Sequence, residues 1–324
     1  MSLKNLHASA TNVTGIKDIT YRDSYGQAAA TAEVTCTGHS LGIGDVASVV
    51  MGFSDNYATM ITNGYVKTIV ARRPQNDYVI TIADKLSLAV DYFMAADNPD
   101  SPFMASNISG EQLVTNILAQ AGITGITTEA TGFTFATQKP QPINYISAWN
   151  ACESISGITG FSLYTTPGGV VKFVNRKPYI MGGDTSIATL TTGGSGQITD
   201  IAYTKSDEKI RNRIVVNGSA GINAVASASS PYLPSGFYKT LPIVHELIDT
   251  TAQAQSTADL NLTMFNRLTE TVRVTCVGNP AWIARTILSV TESFTGLSAA
   301  QFFVFGSTHT ISNSGYSVSL TLVR

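Results

Sequence analysis

Polar and apolar residues alternate along much of the first hundred residues, which is the pattern of half-buried β-strands. The alternating stretches are also rich in the β-branched and aromatic residues that strands favour. We predict strands at 27–37, 45–53, 64–71 and 77–83. Residues 72–76 contain the breakers Pro74 and Asn76, so the last two strands form a predicted hairpin. Apolar residues at helical spacing then predict a helix over 85–94.

The spacing of the apolar residues changes to a helical one after the breaker sequence at 98–102. Residues 109–121 have an amphipathic pattern, with Ser109 as the predicted N-cap and Gln112 as its capping-box partner. A second helix is predicted over 144–156, beginning at Asn144 after Pro142.

A hairpin is predicted directly after the second helix. Gly157 and Gly160 bracket a turn, and the strands FSLYTT and GVVKFV follow, joined through 167–169. Helix, turn and hairpin together describe a small α/β unit.

The last third returns to strand patterns. We predict strands at 195–203, 211–217 and 269–277, an extended segment at 240–247, an apolar segment at 281–290 and a terminal hairpin formed by 301–311 and 315–323. Residues 251–268 have helical periodicity, and the Ala/Ser/Gly/Pro-rich stretch 219–235 is typical of a loop or connection. The two ends of the chain share a layout of strand-rich sheet with one helix, which indicates an internal duplication.

These elements predict an α+β fold that is mainly β. We divide the chain into a first β domain (1–97 with 185–218), an inserted α/β domain (98–184) and a second β domain (219–324) with a loop-rich excursion at 219–239. A chain of 324 residues is long enough for such an arrangement.

Charge is scarce in this sequence. Charged residues make up 13% of the chain, against about 25% in a typical soluble protein. So few charges suit a protein that covers much of its surface with other subunits, although charge-poor monomers also exist. The net charge is −2 and no basic run is longer than Arg72–Arg73, which argues against sequence-specific binding of nucleic acid.

The cysteines and the apolar segments indicate in which cellular compartment the chain is expected. Cys36, Cys152 and Cys276 are widely separated and form no CxxC, so we interpret them as buried free thiols in a reducing compartment. No apolar signal region begins the chain and no apolar run reaches about 18 residues, so neither a secretory signal nor a membrane segment is expected.

Catalytic and ligand-binding motifs are missing. The histidines at positions 7, 39, 245 and 309 show no metal-ligand spacing, and HExxH, GxSxG and phosphate-loop patterns do not occur. Cys152 lies on the apolar side of a predicted helix, and nothing brings Asp97 and Glu153 together as an acid pair. The pairs Gly168-Gly169, Gly182-Gly183 and Gly193-Gly194 are interpreted as turns. We therefore expect no enzyme activity, no catalytic or metal site and no cofactor.

The order of the elements resembles the central baseplate hub of bacteriophage tails, the family of late control protein D and of the hubs of contractile injection systems. A helix with Trp149 near its middle precedes Gly157 and Gly160, and a strand with Phe161 and Tyr164 follows. The other matching motifs are Gly278-Asn279-Pro280 after a V-x-V-x-C strand, and His309, Ile311, Gly315 and Tyr316 in the last hairpin.

The resemblance implies two tail-tube-like β-barrel domains with a small inserted α/β domain, and a homotrimer with pseudo-sixfold symmetry. Such a ring joins the tail tube protein to a trimeric spike or tail-tip protein, contacts other baseplate proteins, and passes the tape-measure protein and then DNA. The implied location is the virion tail baseplate, after assembly in the host cytoplasm. As structural anchors we expect Trp149, Phe161, Tyr164, Pro280 and Tyr316.

Two other functions stay open at this point. One is a cell-wall hydrolase of a tail tip. The other is a different tail structural protein, namely a distal tail adapter or a tube subunit.

Overall fold

The structure is a computed structural model that describes residues 5–101, 103–104, 106–135, 143–193 and 197–324. Strands hold 46% of the residues and helices 15%, which confirms the mainly β class. Pro142, Gly194 and Ser195, which took part in the predictions above, lie outside the described residues.

The first half is an antiparallel sheet. Its elements are β1 (Leu6–Ala10), β2 (Val13–Ser24), β3 (Thr31–His39), β4 (Val46–Phe53), β5 (Asn56–Arg72), β6 (Asp77–Ala83) and the short helix α1 (Ser87–Asp91). The strand order is β1-β4-β5-β6-β3-β2. Alternate apolar residues such as Ile19, Val34 and Ile80 are fully buried, as the period of two requires. Helix α1 is shorter than the predicted 85–94 because the backbone is extended at Tyr92.

The middle of the chain forms the small α/β unit. Its elements are β7 (Ile108–Ser109), α2 (Gly110–Gln120), β8 (Thr127–Thr128), β9 (Thr134–Phe135), α3 (Ala148–Thr159), β10 (Ser162–Thr165) and β11 (Val171–Val174). Ser109 caps α2 by accepting the Gln112 N–H at 3.4 Å, as predicted. Helix α3 begins at Ala148 with Ser147 as its N-cap, and not at Asn144. The Asn144 side chain instead bonds to both backbone groups of Phe103.

The second half contains the remaining strands. They are β12 (Thr189–Thr191), β13 (Ile198–Ser206), β14 (Arg213–Asn217), β15 (Asn223–Ser227), β16 (Thr240–Val244), β17 (Thr269–Val277), β18 (Ile287–Glu292), β19 (Leu297–Ser312) and β20 (Gly315–Val323), with helix α4 (Thr251–Phe265) before β17. Six of them form a second sheet half in the order β12-β18-β19-β20-β17-β13.

The two halves have the same strand order. If the six sheet strands of each half are numbered along the chain, both halves read 1-4-5-6-3-2. The halves differ in the direction of their first strand. Strand β1 is antiparallel to its neighbour β4, whereas β12 is parallel to its neighbour β18. Strand β2 pairs with β19, so the two halves join into one twelve-stranded sheet within the described residues. The structure therefore supports the duplication that the sequence indicated.

One part of the domain assignment is wrong. Residues 185–218 were assigned to the first β domain, but β12 and β13 pair with β18 and β17 of the second half. Order along the chain does not reveal this, because the pairing spans about seventy to a hundred residues.

Strands β14, β15 and β16 form a separate three-stranded sheet against α4. Strand β15 lies inside the stretch 219–235 that was predicted as a loop. Its small residues Ala224 and Ala226 are buried in the same cluster as Ala254 and Ala258 of α4, so the low side-chain volume reflects close packing rather than a loop. A capping box between Thr250 and Gln253 begins α4.

Candidate functional site

The exposed face of the twelve-stranded sheet is rich in hydroxyl groups. In β20 the residues Val318, Leu320 and Leu322 are buried, so Ser317 and Ser319 lie on the opposite, exposed face. The same alternation in the neighbouring strands places short polar side chains on this face, which we call the hydroxyl face.

Strand register aligns these side chains into rows. One row crosses seven adjacent strands from β5 to β17, and each residue is the direct cross-strand partner of the next. Its members are Thr68, Thr81, Glu33, Thr20, Thr310, Ser317 and Val277. Hydroxyls bond to one another along the rows, as between Thr68 and Thr81 at 2.8 Å and between Thr275 and Ser319 at 3.3 Å.

Charges on the hydroxyl face are few and of both signs. Arg22 lies 3.6 Å from Glu33 across β2 and β3, and both side chains are about half exposed. A shallow groove of about 630 Å³ over β2, β19, β20, β17 and β13 is lined by Arg22, Arg273, Asp23 and Asp200 among uncharged residues. Tight binding of a polyphosphate chain needs several clustered cations, and the described lining of this groove supplies Arg22 and Arg273 beside two carboxylates.

A buried ion pair holds the junction between the two halves. The Arg285 guanidinium donates to both carboxylate oxygens of Asp23 at 3.0 and 2.9 Å, and to the Ser24 carbonyl at 3.0 Å. It also stacks on the Tyr164 ring, 4.4 Å from the ring centroid. Arg285 and Asp23 are 8% and 7% exposed. This contact fixes β2 beside β19 and connects the junction to the α/β unit.

The Gly278-Asn279-Pro280 turn contacts the last hairpin, and both carry motifs on which the resemblance to tail hubs rests. The Gly278 N–H donates to the Tyr316 carbonyl at 2.8 Å, and a Cβ at Gly278 would lie 2.2 Å from the Tyr316 ring. Only glycine allows this approach. The Tyr316 hydroxyl bonds to Nδ1 of His309 at 2.7 Å, and Nε2 of His309 lies 3.0 Å from the Trp282 carbonyl.

His309 is held neutral by this network. Because the Trp282 carbonyl can only accept, Nε2 carries the proton and Nδ1 accepts from the Tyr316 hydroxyl. Burial lowers the pKa of His309 to about 4. The ring is fully buried, and both of its nitrogens are bonded within the protein.

Acid is expected to destabilise the protein through His309. The unfolded chain, with a histidine pKa near 6.5, binds more protons than the folded chain between about pH 6.5 and 4, so stability falls as the pH decreases through that range. We expect His309 to contribute a loss of about 2 kcal/mol between about pH 7.5 and about pH 5. Urea unfolding at both pH values measures it, and His309→Gln should show a correspondingly smaller loss. An unchanged pH dependence in that variant would contradict this assignment.

The five expected anchors are all at least half-buried. Trp149 lies in α3 within the core of the α/β unit, and Phe161 packs on Phe173 with ring centroids 5.4 Å apart. Tyr164 lies under the Arg285 guanidinium. Pro280 and Tyr316 are buried, Pro280 in the turn after β17 and Tyr316 in β20. Their role as anchors stays a prediction.

One serine–histidine contact invites a catalytic interpretation. Ser154 Oγ bonds to Nε2 of His245, whose Nδ1 accepts the Leu247 N–H at 3.2 Å. The neutral ring therefore carries its proton on Nε2 and donates to the serine, which is the reverse of what a general base requires. Cys152 is fully buried, and burial raises the pKa of its thiol well above the usual value.

Potential metal ligands are not clustered in the described part of the chain. No group of three or more His, Cys, Asp or Glu side chains there could hold a metal ion.

The described ranges contain the helices α1 to α4. None of the described helices has the length and apolar character needed to cross a membrane.

Sequence patterns did not identify the hydroxyl face. Strand β2 was missed, although Ile19 and Tyr21 alternate there with Thr20 and Arg22. That alternation was the available signal, but the strand's partners in β3 and β19 could not be read from it.

Comparison with known proteins shows the fold. Two solved structures match nearly the entire chain: the tail protein from Neisseria meningitidis MC58 (13% identity, 99% of this chain and 97% of that one, TM-score 0.70) and the 43 kDa tail protein of prophage MuSo2 from Shewanella oneidensis (17%, 99% and 98%, TM-score 0.70). The chain therefore has the fold of these phage tail proteins.

A third structure extends the likeness to secretion systems. The E. coli c3393 protein, described as a component of the type VI secretion system that is structurally similar to the T4 bacteriophage tail proteins gp27 and gp5, matches 98% of this chain with 76% of its own length (9% identity, TM-score 0.59). In sequence, residues 184–323 match the family described as YQBQ-like. No curated protein sequence matches the chain.

Proposed function

We propose that the chain is the structural hub of a phage tail baseplate. Three copies form a ring with pseudo-sixfold symmetry that joins the hexameric tail tube to a trimeric spike or tail-tip protein. The observation that carries this is the repeated strand order, because two equivalent sheet halves per chain give a trimer six similar units around one axis.

The elements outside the repeat account for the threefold side of the adapter. The α/β unit and the sheet β14-β15-β16 with α4 occur once per chain, so they repeat three times around the ring. We assign the spike or tail-tip contact to these elements, and the contact with the tail tube protein to the duplicated sheet. Other baseplate proteins would bind the outside of the ring.

The hydroxyl face supports a lumen. Closely spaced threonine and serine side chains hydrate well, and the few charges are of both signs. A tape-measure protein and DNA would pass such a surface without being held, because few phosphates could be neutralised. The proposed location is the tail baseplate of the virion, after assembly in the host cytoplasm.

The number of copies tests the proposal. We expect native mass spectrometry of the purified chain to give three times the mass of one 34.3 kDa chain, and electron-microscopic projections to show a ring with six similar lobes. A monomer at high concentration contradicts the hub. A ring of six chains favours a tube subunit or distal tail adapter, and clearing of peptidoglycan in a zymogram favours the cell-wall hydrolase.

A further inference from the structure

The strand pairing leaves an open edge along β13 and another along the end of β5. Among the described residues, β13 pairs only with β17, and its Thr204 and Lys205 are exposed. The end of β5 from Thr68 to Arg72 pairs only with β6, and Val70 there is 50% exposed. Open strand edges present unpaired backbone groups that readily take up another strand.

The open strand β13 is the counterpart of β2. Residues 16–24 read IKDITYRDS and residues 198–206 read ITDIAYTKS, with five of nine positions identical. In both stretches the register with the neighbouring strand shifts between the first and the third residue. Both strands also hold the same position in the repeated strand order.

The open end of β5 is likewise the counterpart of part of β19. The Val66 carbonyl accepts the Gly44 N–H at 2.9 Å, and the Val304 carbonyl accepts the Arg285 N–H at 2.7 Å. Gly44 and Arg285 share a left-handed backbone, with φ of 87° and 74°. A register shift follows each valine, so Thr68 corresponds to Gly306 and Val70 to Thr308.

Inside the chain, β2 covers this part of β19. The pairing runs antiparallel from Gly306 opposite Ser24 to Ile311 opposite Ile19. Among the residues that the structure describes, no strand covers the equivalent part of β5, and β13, the equivalent of β2, pairs on one side only.

We propose that β13 of one copy pairs with β5 of the next copy in the register that β2 has with β19. Ser206 then lies opposite Thr68, Thr204 opposite Val70, and Ala202 opposite Arg72. This inference rests on the proposed ring and specifies how its subunits join. Each chain has one edge of each kind, so the pairing is head-to-tail and a closed ring leaves neither edge open.

The backbone groups needed for this junction point outward. In the internal junction the Tyr25 N–H donates to the Phe305 carbonyl at 2.7 Å. Alternate residues of a strand point the same way, so the N–H groups of Tyr21 and Asp23 also face β19. Their counterparts on β13 are those of Tyr203 and Lys205, which face the open edge.

The two kinds of junction differ in charge. The internal junction contains the buried Asp23–Arg285 pair, whereas the corresponding positions at the junction between copies are Lys205 and Gly44. The junction between copies thus depends on backbone hydrogen bonds and lacks this ion pair. It is the weaker of the two and suits subunits that fold first and assemble afterwards.

Disulfide trapping tests the register. Val70→Cys in one tagged copy and Thr204→Cys in an untagged copy, co-expressed and oxidised, should cross-link, because directly opposite residues of a non-hydrogen-bonded pair have Cα atoms about 4.5 Å apart. Cys36, Cys152 and Cys276 are buried and give little background. The matched control pairs Val70→Cys with Lys205→Cys, whose side chain lies on the other face, and should cross-link at least about tenfold less.

The outcomes separate this inference from the ring itself. The mass of the reduced sample is measured beside the cross-linking yield. A trimer that cross-links equally in both combinations, or in neither, overturns the strand pairing and leaves the hub standing. A monomer overturns both, and a specifically cross-linked ring of six chains supports the pairing and overturns the trimer.

A proline variant tests the backbone bonds without cysteines. Lys205→Pro removes one outward N–H, and Lys205→Ala keeps it while losing the same side chain. Proline is tolerated on an edge strand where the N–H faces solvent, so circular dichroism should show both variants folded. We expect Lys205→Pro to weaken assembly at least about tenfold relative to Lys205→Ala, because an unmatched carbonyl in β5 remains. Equal assembly of the two variants would overturn the junction.

Discussion

Replacing Asp23 by asparagine is expected to lower the free energy of unfolding by about 3–5 kcal/mol. The substitution leaves the Arg285 guanidinium buried without a counter-charge, at a site where both side chains are more than nine-tenths covered. Urea unfolding at neutral pH measures the loss. The same variant should also loosen the β2–β19 junction, which hydrogen exchange of the amides in both strands would report.

Two controls isolate the contribution of the buried ion pair to the free energy of unfolding. Glu33→Gln removes the partner of Arg22 one strand away, where both side chains are about half exposed, and should cost less than about 1 kcal/mol. The double variant Asp23→Asn with Arg285→Met should recover part of the loss, because no unpaired charge stays buried. A loss for Asp23→Asn no larger than that for Glu33→Gln would show that the ion pair does not hold the halves together.

The junction explains why the duplicated halves form one sheet. Strand β2 continues the second half as well as the first, and Arg285 reaches Asp23, Ser24 and Tyr164 at one point. The hydroxyl face therefore runs unbroken from one half to the other. If the proposed junction between copies repeats the same geometry, the face continues around the ring, which is what a smooth lumen requires.

Local pattern predicted many of the elements but not their partners. Strict alternation in 269–277 and the hairpin at 315–323 predicted β17 and β20, and the capping serine at 109 predicted the start of α2. These features depend on neighbouring residues, so the sequence displays them directly. Strand β15 was missed because alanine and serine carry little β-propensity, and its burial depends on distant α4.

The candidate site was harder to predict than the fold class. Its row of hydroxyls arises from six inter-strand registers, and the register between β2 and β19 joins residues almost three hundred positions apart. Serine and threonine are common on any exposed strand face, so no single residue of the row is distinctive. What could be predicted was the absence of motifs with catalytic chemistry, and the resemblance in the order of the elements.

Replacing Trp149 by alanine is expected to destabilise the α/β unit by about 3 kcal/mol. The side chain is 8% exposed and packs within the core formed by α2, α3 and their strands. It also borders a crevice of about 280 Å³ lined in part by Phe161, Met264 and Phe265. Water entering from this crevice can fill some of the space left by the indole, so the cost lies at the low end of the range for tryptophan.

Thermal or urea unfolding with the mass of the assembled particle measures the effect of Trp149→Ala on both folding and assembly. Phe294→Ala is the matched control, because that ring is 97% exposed and its loss removes almost no buried contact. We expect the control to stay within about 0.5 kcal/mol of the parent protein. If Trp149→Ala matched this control in stability and assembled fully, Trp149 would not be an anchor, and the crevice beside it would need another explanation.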